Sequence, residues 1–247
     1  MLEFFAKDYN GEPFVMFGLP HLVALALILL FNLSFIRIRR RADERQRKNF
    51  REIMAGILVI NELGWHAWNA AVGQWTIQTM LPLHLCSLLV FLSAYMLVKR
   101  SYFIYEFAYF LGIGAAVQAI LTPDLGIYGF PHFRFFQTFI SHGLIVSAAV
   151  YMTVVEGYRP YKRSILRVAL VGNLYMLVVT GMNVLIGSNY MFTLHKPPTA
   201  SLFDVLGPWP WYLVATEGIA LVMILLLYLP FALRDRRSAA DQVPATN

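Results

Sequence analysis

The chain has 247 residues, of which 58% are hydrophobic and only 14% are charged. Its mean hydropathy is +0.58. This composition leaves too few polar side chains to cover a soluble globular protein of this size, so a soluble enzyme or binding domain is excluded. The formal net charge of +6 is typical either of a polyanion-binding protein or of a membrane protein with basic residues on one side.

Apolar segments of membrane-spanning length follow one another along the whole chain. A transmembrane helix needs about 20 apolar residues to cross about 30 Å of hydrocarbon at about 1.5 Å per residue. Such segments lie at 17–36, 52–72, 79–98, 102–122, 135–156, 165–187 and 209–233. The sequence therefore predicts an all-α membrane protein: a single seven-helix bundle over residues 1–237, then a disordered cytoplasmic tail at 238–247.

The basic residues predict the orientation of this bundle. Of the 20 Lys and Arg residues, all but Lys7, Arg134 and Lys196 lie in every second connection between the spans. Successive spans cross the membrane in opposite directions, so these connections fall on the same side. Short loops rich in Lys and Arg stay in the cytoplasm, so we expect the N-terminus outside and the C-terminus in the cytoplasm. Because this asymmetry accounts for the positive net charge, we expect no nucleic-acid partner.

Polar residues within the spans concentrate near the predicted outer surface. In the second span, Glu62, His66 and Asn69 follow i, i+4, i+7 spacing and so share one helix face. An ionisable group in hydrocarbon needs a polar partner or water. Other spans and the loop at 188–208 supply further polar residues, namely Asn61, His84, Gln118, Gln137, His142, Asn183, Asn189, Tyr190 and Glu217.

This concentration predicts a polar pocket in the outer half of the membrane, covered by the loop at 188–208. The residues expected to line the pocket are Glu62, His66, His84, His142, Asn183 and Glu217. The residues expected to contact a substrate are Asn61, Asn69, Gln118, Gln137, Asn183, Asn189, Tyr190 and Glu217. The alternative is that these side chains only join neighbouring helices through hydrogen bonds.

The residue types leave three kinds of chemistry open. Cys86 is a candidate nucleophile that would lose its proton to His142 or His66, because His84, two positions away, faces about 200° from it on a regular helix. His66, His84 and His142 are a candidate metal site with Glu62 beside them, although no single helix carries a metal-binding His pair. Glu62 and His66 are a candidate acid–base pair or proton relay. No cofactor is indicated.

Four motifs carry a resemblance to a known family: LPLHLC at 81–86, FISHG at 139–143, GSNYMF at 187–192 and PPTASLFDVLGPWPWY at 197–212. In these motifs the chain resembles the YwaF-type family of bacterial integral membrane proteins. The resemblance covers essentially all seven spans. It implies a seven-span bundle in a bacterial cytoplasmic membrane.

The YwaF-type family is distantly similar to a vertebrate multi-pass membrane acyltransferase that moves fatty acyl chains onto ether phospholipids. That enzyme uses a cysteine beside a histidine at the start of the third span. His84 matches this histidine, but Leu83 precedes it and the only cysteine is Cys86. A related set of membrane hydrolases uses a threonine and a histidine, which adds Thr79 and Ser87 as candidate nucleophiles.

We therefore expect acyl-chain transfer or hydrolysis on a phospholipid of the outer leaflet, with His142 or His84 as the base and catalytic roles for Cys86, Glu62 and His66. A transporter of small solutes or protons is an alternative, because buried polar residues also line transport paths. A sensor or receptor without catalysis is another. A retinal protein is excluded, since the seventh span has no lysine for a Schiff base.

Overall fold

The computed structural model describes residues 3–199 and 201–240, and this part of the chain is helical, without any strand. The helices are α1 (Leu19–Arg41), α2 (Glu44–Ala71), α3 (Leu85–Lys99), α4 (Tyr102–Phe107), α5 (Ile113–Leu121), α6 (Phe133–Val154), α7 (Lys162–Ile186) and α8 (Trp211–Ala240). The all-α prediction is confirmed for these residues. Most of the predicted tail, residues 241–247, lies outside the described residues.

The fourth predicted span is one helical rod made of three pieces. A π-helical turn at Ala108–Gly112 joins α4 to α5. In this turn, Gly112 lies so close to α6 that an added Cβ would be 3.3 Å from Cγ2 of Ile145, and the Tyr109 hydroxyl donates to the Leu227 carbonyl of α8 (3.1 Å). Such turns inside α-helices occur frequently at functional sites.

The third helix is shorter than the predicted span at 79–98. It begins at Leu85, with His84 as its N-cap residue, because residues 72–84 form turns. Pro82, which has no backbone N–H, favours this late start. With 15 residues, α3 extends about 22 Å at about 1.5 Å per residue.

Helix α6 lies at the centre of the bundle. In its most apolar window 78% of the residues are buried, compared with 11% in α1 and α7 and 17% in α8. The core lies between α2, α3, α4–α5 and α6 and includes the fully buried Leu58, Leu97 and Ile145. The peripheral helices α1, α7 and α8 expose long rows of Leu and Val, which are suited to contact with lipid tails.

Five helical segments are long and apolar enough to cross a membrane: Leu19–Arg41, Tyr102–Leu121, Phe133–Val154, Lys162–Ile186 and Trp211–Arg236. Helix α2 is long enough, but its first third is strongly charged, and α3 is short. The chain is therefore an integral membrane protein with multiple spans. The count of seven spans and the orientation of the termini stay predictions.

The helices alternate in direction, so their connections gather at two ends. The basic end holds residues 37–51, 99–102, 155–167 and 234–236, and the loop end holds residues 3–18, 72–84, 122–132 and the α7–α8 connection. At the basic end the buried Glu156 carboxylate accepts hydrogen bonds from the buried Arg51 and from Arg100 (2.5 Å). Arg100 also donates to Glu44 (3.2 Å). This network ties α2, the α3–α4 turn and the α6–α7 turn together.

Candidate functional site

The residues predicted to line one outer pocket form separate groups in the structure. The first group is centred on Glu62 and His66 of α2, the second on His84 and the α7–α8 connection, and the third on Glu217 of α8. In the described part of the chain, the hydrogen bonds and ion pairs of these four residues stay within their own groups. Gln118 belongs to none of them, because it is exposed on α5.

In the first group, Glu62 is a buried carboxylate with 4% of its side chain exposed. Its Oε1 lies 3.8 Å from Nε2 of His66, which is too far for a hydrogen bond, and no described residue donates a hydrogen bond to it. Nδ1 of His66 accepts a hydrogen bond from Trp75 Nε1 (3.0 Å). Neutral His66 therefore carries its proton on Nε2, facing Glu62.

Cys86 packs against the apolar core. Among the described residues, no imidazole makes a hydrogen bond with its thiol. His84 contacts the α7–α8 connection instead, so the two side chains face different elements; His84 lies before the helix, and the helical spacing does not apply to it. A nucleophilic cysteine needs an adjacent base or cation, and this arrangement does not provide a base for Cys86.

Other polar residues of α2 and α6 hold these two helices together. Asn61 donates to the Gln137 carbonyl (3.0 Å), and Gln137 Oε1 accepts from Arg134 (3.4 Å). The Arg134 guanidinium lies 4.0 Å from the centre of the Trp65 ring. Asn69 donates within its own helix, to the Trp65 carbonyl (2.8 Å). These contacts fit the structural alternative, in which polar side chains join helices.

His142 of α6 stands apart from these groups. Its Nδ1 lies 2.9 Å from the Thr138 carbonyl, and because a carbonyl only accepts, Nδ1 is the donor. Nε2 therefore carries the lone pair, and it has no hydrogen-bond partner among the described residues. This is the tautomer that a general base requires.

A metal site at His66, His84 and His142 receives no support from this geometry. In residues 3–199 and 201–240, no three His, Cys, Asp or Glu side chains lie close enough together to hold a metal ion. The Nδ1 atoms of His66 and His84 already accept hydrogen bonds, from Trp75 and from Met191.

In the second group, His84 is held by the segment after α7. Its Nδ1 accepts a hydrogen bond from the Met191 N–H (3.2 Å), and its ring centre lies 5.2 Å from that of Tyr190 and 5.4 Å from that of Phe192. The proton of neutral His84 is therefore on Nε2. This N–H has no partner among the described residues, so it is available to donate to a ligand.

The segment that contacts His84 has an unusual backbone. Met191 (φ 56°) and Phe192 (φ 55°) both adopt the left-handed conformation, which costs a residue with a side chain about 1–2 kcal/mol. This conformation places the Met191 N–H against His84. Backbone strain of this kind persists only where surrounding contacts impose it, and it is concentrated at functional sites.

Asn183 of α7 supplies those contacts. Its buried amide donates to the Tyr190 carbonyl (2.8 Å) and to Thr193 Oγ1 (2.9 Å). Its Oδ1 accepts from Ser188 Oγ (2.7 Å) and from the Tyr190 N–H (2.8 Å). All four hydrogen-bonding positions of the amide are used inside the loop, so Asn183 positions the loop and has none left for the substrate contact that the sequence predicts.

Tyr190 and Asn189 stabilise the same segment. The Tyr190 hydroxyl donates to the Ile77 carbonyl (2.8 Å) and accepts from the Leu81 N–H (2.8 Å). Burial raises the pKa of the Tyr190 phenol, and the hydrogen bond from Leu81 lowers it in part. Asn189 donates to the His195 carbonyl (2.7 Å). These bonds fix the α7–α8 connection on both sides of His84.

Replacing Asn183 with alanine is expected to lower the free energy of unfolding by about 3 kcal/mol, because the buried N–H and carbonyl of Tyr190 lose their partners. Thr193→Val, which removes only one partner of the same amide, is expected to cost about 1 kcal/mol. Denaturant unfolding in detergent measures both changes. Equal stability of Asn183→Ala and the wild type would show that this amide does not hold the loop.

The third group belongs to a cavity of about 380 Å³, the α7–α8 cavity, which lies between α7, α8 and the α3–α5 side of the bundle. Its lining is mostly apolar and includes Leu85, Leu88, Leu92, Phe103, Phe107, Leu111, Val168, Gly172, Met176, Leu213, Leu221 and Ile224. Two exposed polar residues of the lining, Asn173 and Glu217, share a hydrogen bond (3.2 Å). Because both are exposed, the cavity opens sideways from the bundle.

His84 lies at the loop end of the α7–α8 cavity. The carbonyl of Leu83 accepts a hydrogen bond from the Tyr175 hydroxyl (3.0 Å), and Tyr175, Leu85 and Met191 all line the cavity. Along α8 the lining runs from Leu213 to Ile224, about 16 Å at about 1.5 Å per residue. The α7–α8 cavity is therefore long and apolar, and the His84 imidazole lies next to the lining residues at its loop end.

A larger groove of about 660 Å³, the α1–α6 groove, has different chemistry. No titratable side chain lines it. Its one polar side chain, Ser147, donates to the Gly143 carbonyl (2.7 Å). The α1–α6 groove is therefore suited to contact with lipid tails but holds no acid–base group.

The architecture defines a multi-pass integral membrane protein with a lateral apolar cavity and a histidine bonded to a residue at one end of its lining. The model of the TMEM164 family matches residues 16–228, which include all the groups described above. The chain belongs to the TMEM164 family, a multi-pass membrane family. No curated protein and no solved structure matches the chain. The YwaF-type name and a bacterial origin stay predictions.

Several residues that build the site have no signal in the sequence. No pattern in the sequence singles out Trp75 or Tyr175, although Trp75 bonds to His66 and Tyr175 to the Leu83 carbonyl. The tyrosine bond joins residues 92 positions apart, which no local spacing can reveal. The GSNYMF motif is the available signal, since Gly187 ends α7 in the left-handed conformation (φ 66°).

Proposed function

We propose that this protein transfers or hydrolyses an acyl chain of a membrane phospholipid, and that the α7–α8 cavity holds this chain. The observation that carries the proposal is an apolar cavity whose lining includes Leu85, the chain neighbour of His84, and Met191, whose N–H bonds to the His84 ring; His84 itself is not a lining residue. A cavity of this volume lies within the range of small-molecule sites, about 300–1,000 Å³. The cavity opens sideways, where a lipid tail can enter without leaving the bilayer.

The dimensions of the cavity support an acyl chain as its occupant. The lining along α8 extends about 16 Å, and one leaflet of a bilayer contributes about half of the 30 Å hydrocarbon core. A chain that enters with its carboxyl end towards the loop end brings its ester group to the level of His84. Because the chain passes from the hydrocarbon of the bilayer to an equally apolar lining, packing contacts and not removal from water favour its binding.

The tautomers of the two candidate histidines favour different roles. His84 presents a donor, which suits it to stabilise the oxyanion that forms when an ester carbonyl is attacked. His142 presents a lone pair, as a base requires, but it stands apart from the α7–α8 cavity and does not line it. In hydrolysis, the oxygen of water attacks the carbonyl carbon, the ester C–O bond breaks, and the proton of the water passes to the departing alcohol. In transfer, a lipid hydroxyl replaces water.

The proposal is tested with purified protein in nanodiscs that contain a phospholipid with an isotope-labelled acyl chain and a lysophospholipid acceptor. Mass spectrometry is expected to find the label as free fatty acid or on the acceptor, at a rate above that of nanodiscs without protein. Phosphatidylcholine, phosphatidylethanolamine and phosphatidylglycerol serve in turn as donors. If no label moves from any of the three while the protein stays folded, the proposed chemistry is wrong.

A further inference from the structure

A polar pocket of about 510 Å³ lies at the basic end, beside the first turn of α7. We call it the α7-start pocket. Helix α4, the start of α7 and the last part of α8 border it, and every lining residue has a polar side chain. The lining residues are Tyr102, Glu106, Tyr161, Lys162, Arg163, Ser164, Arg167, Tyr228 and Asp235.

The two carboxylates of this pocket are compensated. Glu106 of α4 is buried and accepts hydrogen bonds from Ser164 Oγ (2.5 Å) and from Nη1 of Arg167 (2.6 Å). Both oxygens of Asp235 accept from Nη2 of Arg159, at 2.7 and 2.6 Å. Each carboxylate therefore has its own guanidinium partner, and neither leaves an unbalanced negative charge in the lining.

Lys162 and Arg163 supply positive charge that no carboxylate balances. Both are exposed, and neither forms a hydrogen bond or an ion pair with the part of the chain that the structure describes. They belong to the first turn of α7, where backbone N–H groups have no partner within the helix and the helix dipole favours an anion. The α7-start pocket therefore has two free cations at a helix end that already attracts negative charge.

Tyr228 of α8 adds a hydroxyl that is open to this pocket. Only 7% of the residue is exposed, and its hydroxyl makes no hydrogen bond with the described residues. It is not one of the polar side-chain atoms that are both unpartnered and completely enclosed, so it keeps surface that a ligand can contact. Because Tyr228 lines the pocket, this surface faces the cavity. A buried donor of this kind is stabilised by an acceptor from outside the chain.

The surroundings of the α7-start pocket favour an occupant with an apolar tail. On α8, Tyr228 lies one helical turn beyond Ile224, which lines the α7–α8 cavity. On α7, Arg167 is the chain neighbour of Val168, which also lines that cavity. The nearby Leu166 is exposed, which suits it to contact with lipid tails. A phospholipid matches both the polar pocket and its apolar surroundings, whereas inorganic phosphate matches only the pocket.

We propose that the α7-start pocket binds a phosphate group, which an anionic phospholipid of the leaflet at the basic end supplies. Lys162 and Arg163 balance the charge of the phosphate, and the Tyr228 hydroxyl donates to one of its oxygens. Ammonium and guanidinium groups suit phosphate oxygens in this way. The lipid connects the start of α7 to α8. The site does not depend on the proposed acyl chemistry, because His84 lies at the opposite end of the bundle.

The test is native mass spectrometry of the full chain in neutral detergent, with phosphatidylglycerol or phosphatidylcholine that carry the same acyl chains. The test variants are Arg163→Gln and Tyr228→Phe. The matched controls are Arg45→Gln, at an exposed position in the first turn of α2, and Tyr95→Phe, which removes an exposed hydroxyl from α3. Neither control residue lines the pocket. The thermal unfolding midpoint without lipid shows that all four variants are folded.

We expect phosphatidylglycerol to bind more tightly than phosphatidylcholine. Its affinity is expected to fall about tenfold in Arg163→Gln, which loses a charged contact, and about threefold in Tyr228→Phe, which loses a neutral hydrogen bond. Both controls are expected to bind within about twofold of the wild type.

Competition with inorganic phosphate separates the sources of the phosphate group. Displacement of phosphatidylglycerol by millimolar phosphate, with the same sensitivity to Arg163→Gln, would support the site and identify free phosphate as its occupant. Retention of the lipid against phosphate would support the phospholipid. Equal affinity of each test variant and its control, or equal binding of phosphatidylglycerol and phosphatidylcholine, would overturn the proposal.

Discussion

Replacing His84 with asparagine is expected to reduce acyl-chain turnover by about 10²–10³-fold while the protein stays folded. Removal of one donor to a developing oxyanion has an effect of this size in enzymes that transfer acyl groups. Asparagine retains an acceptor close to the position of Nδ1, so the hydrogen bond from the Met191 N–H (3.2 Å) can be kept. The Nε2–H is lost. The labelled-lipid assay measures the rate, and the thermal unfolding midpoint measures folding.

The matched control for this variant is His195→Ala. His195 belongs to the same α7–α8 connection but is exposed and is bonded to Asn189. Its removal is expected to leave turnover within about twofold of the wild type, because surface substitutions away from a site have small effects. If His84→Asn retained full turnover, His84 would have no part in the chemistry, and the role proposed for the loop end of the cavity would be wrong.

A bulky residue at position 172 is expected to weaken lipid binding by roughly a hundredfold. Gly172 lines the α7–α8 cavity, and an added Cβ would lie 3.6 Å from Cδ1 of Leu111, an ordinary contact. The ring in Gly172→Phe would occupy part of the cavity. Forcing the ring and the chain into one cavity overpacks it, which costs up to about 3 kcal/mol and corresponds to that loss of affinity.

Gly181→Phe is the control for Gly172→Phe. Gly181 lies on the opposite side of α7, nine residues along, and an added Cβ there would meet no atom within 4 Å. This variant makes the same chemical change on an open surface, so we expect it to bind lipid as the wild type does. Native mass spectrometry of lipid retained after detergent washing compares the two. Equal retention in both variants would show that the acyl chain does not occupy the α7–α8 cavity.

Much of the fold follows from the sequence because hydropathy reports directly on burial in lipid. The periodicity does not show how a helix is built, and the π-helical turn at Ala108–Gly112 has no distinct composition. The start of α3 at Leu85 differs from the predicted start at residue 79, because residues 79–84, which are mostly apolar, continue directly into the helix. This late start decides that His84 is an N-cap residue beside the α7–α8 connection.

The candidate site is only partly predictable for a related reason. Depth along each helix is counted from its ends, and only His84, the N-cap residue of α3, lies at the loop end, whereas Glu217 bonds to Asn173 near the middle of α7. The partner that each side chain meets depends on how the helices pack. The carboxylate of Glu62 lies near His66, and the carboxylate of Glu217 accepts a hydrogen bond from Asn173. The single predicted pocket is therefore divided. The i, i+4 spacing of Glu62 and His66 works because both residues belong to one regular helix.

The most direct test of the account is to locate the acyl chain itself. A phospholipid with a photoreactive diazirine on its acyl chain is bound to the purified protein, which is washed, irradiated and analysed by peptide mass spectrometry. The account predicts labels on residues of 168–176 and 213–224, which line the α7–α8 cavity, and their loss in Gly172→Phe but not in Gly181→Phe. Labels confined to residues 19–31 and 135–147, along the α1–α6 groove, would contradict it.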